Sequence, residues 1–171
     1  AYAQNIAINL IDLEGEETYS ANVVKLFKGA KSMNMPPDPS VDNEIHYTDK
    51  KAKVDLHYVT KGIIRHLYGS MVNEQGVKFE VDVKLERLQN HDAMVINTPF
   101  AETFYHFYLN YKIGNLKASG SFKMGDLSFK FDPKKDFGLL DWGRGVWPFH
   151  EVWYWGQVND YMPDGRMINL N

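Results

Sequence analysis

Apolar and polar residues alternate along much of this chain with a period of two. The pattern is clearest from Val77 to Leu85, where odd positions are apolar and even positions are charged. Successive side chains of an extended strand point to opposite faces, so this alternation predicts a strand with one buried and one solvated face. Shorter stretches at 6–10 and 54–58 repeat it. From Tyr105 to Ile113 both faces carry aromatic residues, which predicts a strand covered on both sides.

Turn-forming residues separate the alternating stretches. Further strands are predicted at Tyr19–Phe27, Glu44–Tyr47, Ile63–Met71, Ala93–Asn97, Leu116–Met124, Leu127–Phe131, Val152–Val158 and Met167–Leu170. Turns are predicted at Glu14–Glu16, Asn73–Gly76, Gly114–Asn115, Gly125–Asp126 and Asp164–Gly165. A proline-rich loop is predicted at Met33–Val41. Because no window has the period of an amphipathic helix, the expected fold class is all-β and antiparallel, as a sandwich or barrel.

Composition excludes several classes of function. The chain has 171 residues, a net charge of −3 and no cysteine. The charge gives no general attraction to nucleic acid, so we expect no nucleic-acid partner. The absence of cysteine excludes disulfides, thiolate zinc sites, iron–sulfur clusters and cysteine nucleophiles. No apolar run is long enough for a transmembrane helix and the first residues do not resemble a secretory signal, so we expect a cytoplasmic protein.

Both ends of the sequence are strand-like. The first residues lack an initiating methionine, and the last five are Met-Ile-Asn-Leu-Asn. Open strand edges invite pairing with other strands. We therefore expect either flanking sequence beyond this chain or self-association through the terminal strands.

Aromatic residues are concentrated near the end of the chain. The segment from Phe100 to Trp155 carries 16 of the 24 aromatic residues, and all four tryptophans lie between Trp142 and Trp155. Two glycines flank Arg144, which permits a sharp bend or a close approach of backbones, and Pro148 should end any strand. In the strand predicted at Val152–Val158, the two tryptophans share one face and the tyrosine between them lies on the other.

This segment has two interpretations. In the structural one, a Gly-Arg-Gly corner closes one end of a barrel and Arg144 pairs with Asp141. In the functional one, the segment forms a ligand site in which at least two tryptophans line a cavity and Arg144 or Asp141 lies at its wall. The ligand-binding residues are then Trp142, Arg144, Trp147, Trp153, Tyr154 and Trp155. The candidate acid–base residues are Asp141, His150 and Glu151, since an acid beside tryptophan in a dry pocket could protonate an alkene.

Two short motifs carry a resemblance to a known family. Asp141-Trp-Gly-Arg-Gly-Val-Trp-Pro148, followed by Trp153-Tyr-Trp-Gly156, resembles the signature box of a bacterial family of unknown function. That family is distantly related to lipocalin-like carotenoid hydratases and tocopherol cyclases. Shorter pieces match in the same order at 33–36, 97–100, 118–120, 131–133 and 137–138.

The resemblance implies a lipocalin-like fold in two β halves. The family has no established catalytic residues, so the resemblance assigns none to this chain. Residues 1–140 would be most of the first β domain, and residues 141–171 the tryptophan-rich box and the start of the second half. It also implies a hydrophobic cavity and a distant link to chemistry on prenyl chains.

The function expected is binding of a hydrophobic small molecule, isoprenoid or lipid-like, with hydratase or cyclase activity left open. One alternative is a carbohydrate-binding or glycan-acting β-sandwich, because aromatic platforms also stack on sugars. Another is a purely structural module. We expect no cofactor and no metal, because no local pair of histidines has a metal-binding spacing, although distant histidines could still converge in a β fold. The six histidines are His46, His57, His66, His91, His106 and His150.

Overall fold

A computed structural model describes residues 3–27, 35–89, 92–100 and 105–171 of the protein. In these ranges the chain forms twelve strands and no α-helix. The strands are β1 (Ala3–Asp12), β2 (Glu17–Leu26), β3 (Asn43–Asp49), β4 (Val54–Lys61), β5 (Ile64–Val72), β6 (Lys78–Glu86), β7 (Met94–Pro99), β8 (Phe107–Met124), β9 (Leu127–Phe131), β10 (Phe137–Val146), β11 (Val158–Tyr161) and β12 (Met167–Leu170). The predicted all-β fold is confirmed. The described part of the chain contains no helix able to cross a membrane.

The strands form antiparallel sheets. β1 pairs with β2, and β11 pairs with β12. The largest sheet has the order β10-β8-β6-β5-β4-β3, and β7 and β9 also pair with β8. The chain divides into two compact units, one with residues 1–84 and 119–131, the other with residues 85–118 and 132–171.

The first unit has a core of large apolar side chains. Phe79 and Met71 are fully buried, and the ring of Phe79 meets that of Phe122 edge-on at a centroid distance of 6.1 Å. Alternate residues of β1, Ile6, Ile8 and Leu10, pack against this core. Burial of such side chains contributes about 1.5–3 kcal/mol each to folding.

The alternation from Val77 to Leu85 is confirmed. All the even positions are exposed and all the odd positions are buried or half-buried. The turns predicted at 14–16, 73–76, 125–126 and 164–165 are also present. In the proline-rich loop, residues 35–41 form no strand, and residues 33 and 34 lie outside the described part of the chain.

The turn predicted at Gly114–Asn115 is wrong, because β8 runs without interruption from Phe107 to Met124. Ile113 pairs with Leu140 of β10, and Leu116 pairs with Gly138. Two residues of β8 therefore lie opposite one residue of β10, which is a β-bulge. The bulge holds Asn115 in the left-handed conformation, with φ of 51°. The Gly-Asn pair thus bends a strand instead of ending it.

The strand predicted at Val152–Val158 is wrong, since residues 151–157 form no strand and β11 begins only at Val158. Aromatic residues favour strands, but a strand also needs a partner for its backbone hydrogen bonds. β10 crosses the predicted domain boundary at 140/141 without a break. The division into two lipocalin-like halves and the self-association through strand edges stay predictions.

Candidate functional site

In the second unit, three neighbouring strands, β7, β8 and β10, present one common face. Asn110 in the middle strand lies opposite Ile96 on one side and Gly143 on the other. Lys112, also in β8, lies opposite Asp141 of β10. Side chains two residues apart on a strand share a face, so this register brings polar groups from distant parts of the sequence together.

An aromatic segment, residues 147–155, lies beside this face, and a cleft of about 910 Å³ separates the two. Small-molecule sites usually have volumes of about 300–1,000 Å³. The cleft is lined by Ile96, Thr98, Tyr108, Asn110, Lys112, Asp141, Trp147, Pro148, Phe149, Glu151, Trp153, Tyr154 and Trp155. One side of the cleft is thus polar and the other is mainly aromatic.

A network of three polar side chains forms the floor of the cleft. Asn110 is 0% exposed, and its Nδ2 donates to Asp141 Oδ1 at 2.6 Å and to the backbone oxygen of Trp142 at 3.0 Å. Lys112 is 9% exposed, and its Nζ lies 3.4 Å from Asp141 Oδ2 and 5.4 Å from the ring centroid of Trp155. The charged lysine is therefore held between a carboxylate and an aromatic face.

Two buried oxygen atoms of the cleft residues form no hydrogen bond within the described part of the chain. They are Asn110 Oδ1 and Glu151 Oε2. Buried polar atoms in folded proteins are nearly always paired. These two oxygens keep unused acceptor capacity, which a bound molecule can reach only if the neighbouring side chains move, since both atoms are closed to solvent.

Tyr108 connects the floor to the aromatic wall. Its ring lies 5.5 Å, centroid to centroid, from that of Trp147. Burial raises the pKa of the Tyr108 phenol, the negative charge of Asp141 raises this pKa further, and a hydrogen bond with Asn110 opposes the shift. The phenol thus stays protonated in the folded protein and can donate to a ligand.

The sequence permitted either a sharp bend or a close backbone approach around Arg144. The bend is wrong, because Gly143, Arg144 and Gly145 are all part of β10. The two glycines allow a close approach to the neighbouring strand instead of forming a turn. A Cβ atom on Gly145 would lie 2.2 Å from the backbone oxygen of Phe107 on the neighbouring strand. Only glycine lets the two backbones lie this close.

Comparison with known proteins gives the family of the chain. The match to one family extends over residues 1–171. The chain belongs to the domain of unknown function family DUF2804. No curated protein and no solved structure matches it. Membership of a family of unknown function is confirmed, and the relationship to lipocalin-like hydratases and cyclases stays a prediction.

The structure of this DUF2804 domain brings together most of the residues singled out in the sequence. Six of them line the cleft, namely Asp141, Trp147, Glu151, Trp153, Tyr154 and Trp155. Trp142, Arg144 and His150 are not among the lining residues. The geometric expectation that at least two tryptophans line a cavity with Asp141 at its wall agrees with this placement. The roles of these residues in binding and catalysis stay predictions.

The expected pairing of Arg144 with Asp141 is not what the structure shows. Residues three apart on a strand point to opposite faces, so Arg144 lies on the face away from the cleft. Its guanidinium carbon is 6.0 Å from the ring centroid of Trp142, and Asp141 pairs with Lys112 instead. The ring of His150 packs edge-on against Phe149, at a centroid distance of 4.8 Å.

The contribution of β8 to the cleft was not predicted from the sequence. Tyr108, Asn110 and Lys112 occupy the even positions of a strand whose odd positions are apolar. Two polar residues between apolar neighbours were a visible signal. Their partner Asp141 is 31 residues away from Asn110, a separation at which local patterns carry no information.

Proposed function

We propose that this DUF2804 domain binds a small molecule with an extended apolar body and one polar end, of the isoprenoid or lipid-like class. The observation that carries the proposal is the placement of an ion pair, formed by the buried Lys112 and the partly exposed Asp141, at the floor of a cleft with aromatic walls. Pockets with apolar walls and a few convergent polar groups are typical binding sites for such molecules.

The apolar body is expected to lie against Trp147, Trp153 and Trp155. Each of these side chains is at least 47% exposed, so a ligand that covers them removes apolar surface from water. Burial of apolar surface contributes about 25 cal/mol per Å². This gain supplies the affinity for the body of the ligand.

The polar end is expected to meet the floor. A hydroxyl group can accept a hydrogen bond from the ammonium of Lys112 and donate one to the unpaired Oδ1 of Asn110. A molecule without the polar end would cover the buried ammonium of Lys112 without adding a hydrogen bond and would leave Asn110 Oδ1 unpaired, so it should bind less tightly. The floor therefore supplies orientation and selectivity.

A hydratase or cyclase activity would add a proton donor to this binding site. Asp141 already accepts a hydrogen bond from Asn110 and faces Lys112, and as an acid it would lose the charge attraction to Lys112. His150 is not among the lining residues, whereas Glu151 lines the cleft and has a buried, unpaired Oε2. Glu151 is thus the best-placed candidate, and Glu151→Gln should abolish turnover while leaving binding intact.

Titration of the intrinsic tryptophan fluorescence tests the binding proposal. The probe is geranylgeraniol, a prenyl alcohol, and squalene is the comparison ligand without a polar end. We expect saturable binding of the alcohol and much weaker binding of the hydrocarbon. Tyr154→Ala should weaken binding by about tenfold, since it removes an aromatic side chain from the wall. Tyr105→Ala is the matched control, because Tyr105 is 85% exposed and lies outside the lining.

A second candidate is stacking of sugar rings. It is favoured by the exposure of Trp153 and Tyr154, at 72% and 97%. The same titration with cello-oligosaccharides separates the two candidates. Saturable sugar binding without binding of the alcohol would establish the second candidate. If neither ligand binds, or if Tyr105→Ala weakens binding as much as Tyr154→Ala, the proposal is wrong.

A further inference from the structure

The first unit carries a cluster of three metal-ligating side chains that the proposed function does not use. His46 on β3 lies directly opposite His57 on β4, and Asp55 lies two residues before His57 on the same strand. Asp55 Oδ1 is 2.7 Å from His46 Nε2 and 3.7 Å from His57 Nε2. One ligand atom from each of the three residues lies within 4.8 Å of the others.

Stacking holds the histidine rings in place. The ring of His57 lies between those of His46 and Tyr68, with centroid distances of 3.9 Å and 4.4 Å. The rings are nearly parallel, at interplanar angles of 9° and 4°. Tyr68 lies opposite His57 on β5, so three neighbouring strands support this arrangement. A metal is bound in the plane of each imidazole, so the stacked rings of His46 and His57 must tilt towards each other before their Nε2 atoms can share one ion.

The other nitrogen of His57 gives a second, independent observation. His57 Nδ1 is buried and forms no hydrogen bond, although Glu44 Oε1 lies only 3.5 Å away. A histidine that binds a metal through one ring nitrogen usually donates its other N–H to a carboxylate. Glu44 is placed to accept this N–H when His57 Nε2 binds a metal.

We propose that His46 Nε2, His57 Nε2 and Asp55 Oδ1 bind a zinc ion, with solvent as the fourth ligand. In a tetrahedral zinc site, ligand atoms at about 2.0–2.1 Å from the ion are about 3.3 Å apart. The two distances from Asp55 Oδ1 to the histidines, 2.7 Å and 3.7 Å, lie on either side of this value. Imidazole and carboxylate ligands suit zinc better than calcium or magnesium, which prefer oxygen ligands.

The bound zinc ion would link two neighbouring strands, and its fourth coordination position would be open to solvent. The site departs from the sequence expectation of no metal, because the two histidines are 11 residues apart and meet only across the β3–β4 pair. Spacing motifs recognise ligands on one element and miss such pairs. The zinc site and the aromatic cleft use different residues, so one can fail without the other.

Calorimetric titration of the chelator-treated chain with zinc chloride tests the proposal. We expect one ion per chain and a higher midpoint of thermal unfolding with zinc. Glu44→Gln should weaken zinc binding about 10–100-fold, the usual effect of losing the partner of a ligand. His57→Gln and Asp55→Asn should each weaken it more than Glu44→Gln. Circular dichroism without metal checks that the variants fold.

His66→Gln is the matched control. His66 Nε2 lies 2.7 Å from Asp82 Oδ1, so it forms a similar histidine–aspartate pair, but His66 and Asp82 are not part of the three-ligand cluster. This variant should bind zinc as tightly as the unaltered chain. Cobalt(II) in place of zinc should give the strong visible absorption of a four-coordinate site, and His57→Gln should abolish it. The proposal is overturned if His66→Gln weakens zinc binding as much as His57→Gln does, or if Asp55→Asn leaves the zinc affinity unchanged. It is also overturned if the chain binds several zinc ions weakly instead of one.

Discussion

The ring of Tyr108 on β8 occupies the space that a side chain at position 143 on β10 would fill. A Cβ atom on Gly143 would lie 2.7 Å from Cε2 of Tyr108 and 3.1 Å from its hydroxyl oxygen. Glycine inside a strand normally weakens it. Here the missing side chain lets the tyrosine ring extend over position 143 of the neighbouring strand.

Gly143→Ala is therefore expected to displace the Tyr108 ring. Overpacking of this kind costs about 1–3 kcal/mol, which urea denaturation should show as a lower midpoint. In a Tyr108→Ala background the same substitution should cost much less, because the ring is gone. An equal cost in both backgrounds would mean that Gly143 serves the backbone and not the ring.

The ion pair at the floor should respond unequally to loss of its two members. Asp141→Asn leaves the ammonium of Lys112, which is 9% exposed, without its counter-charge. We expect a loss of about 1–3 kcal/mol in the free energy of unfolding. Lys112→Met removes the buried charge and keeps an apolar side chain of similar length, so it should cost less. Denaturant titration of both variants at neutral pH measures the two losses of stability. A larger loss in Lys112→Met than in Asp141→Asn would contradict this prediction.

Tyr108 should make the protein less stable at alkaline pH. Burial raises the pKa of its phenol above the ordinary value of 10.0, and the charge of Asp141 adds to this. The folded chain therefore keeps a proton that the unfolded chain loses. The stabilisation is complete below pH 10 and is lost as the pH rises through the folded pKa. Tyr108→Phe should flatten the alkaline fall in the urea midpoint, and Tyr105→Phe should not.

The alternation of β6 predicts opposite outcomes for neighbouring residues. Val81 packs against the core of the first unit, so Val81→Asp would place a carboxylate among apolar side chains. We expect a loss of about 2–4 kcal/mol or failure to fold. Lys84 is exposed, and Lys84→Ser should change stability by less than about 0.5 kcal/mol. Similar losses in both variants would contradict the faces assigned to this strand.

Much of the fold could be predicted because strand alternation is a local property. The odd and even positions of 77–85, the turn at Gly125–Asp126 and the bounds of β9 all follow from residues close together in the sequence. The errors share one cause. At Gly114–Asn115 the turn-forming pair lies in a β-bulge, because β8 pairs with β10 on both sides of it. At 151–157 the strand-like segment does not pair with another strand.

The sequence by itself determined the fold class and the identity of the aromatic wall. Both depend on local properties of the chain, namely its composition and the alternation of apolar and polar residues. Only the tertiary structure decided that Asp141 meets Lys112 and Asn110 rather than Arg144, and that His46 meets His57. These neighbours depend on the register between strands. A shift of one residue in register moves every side chain of a strand to the other face, so long-range pairing, not local pattern, assembles both sites.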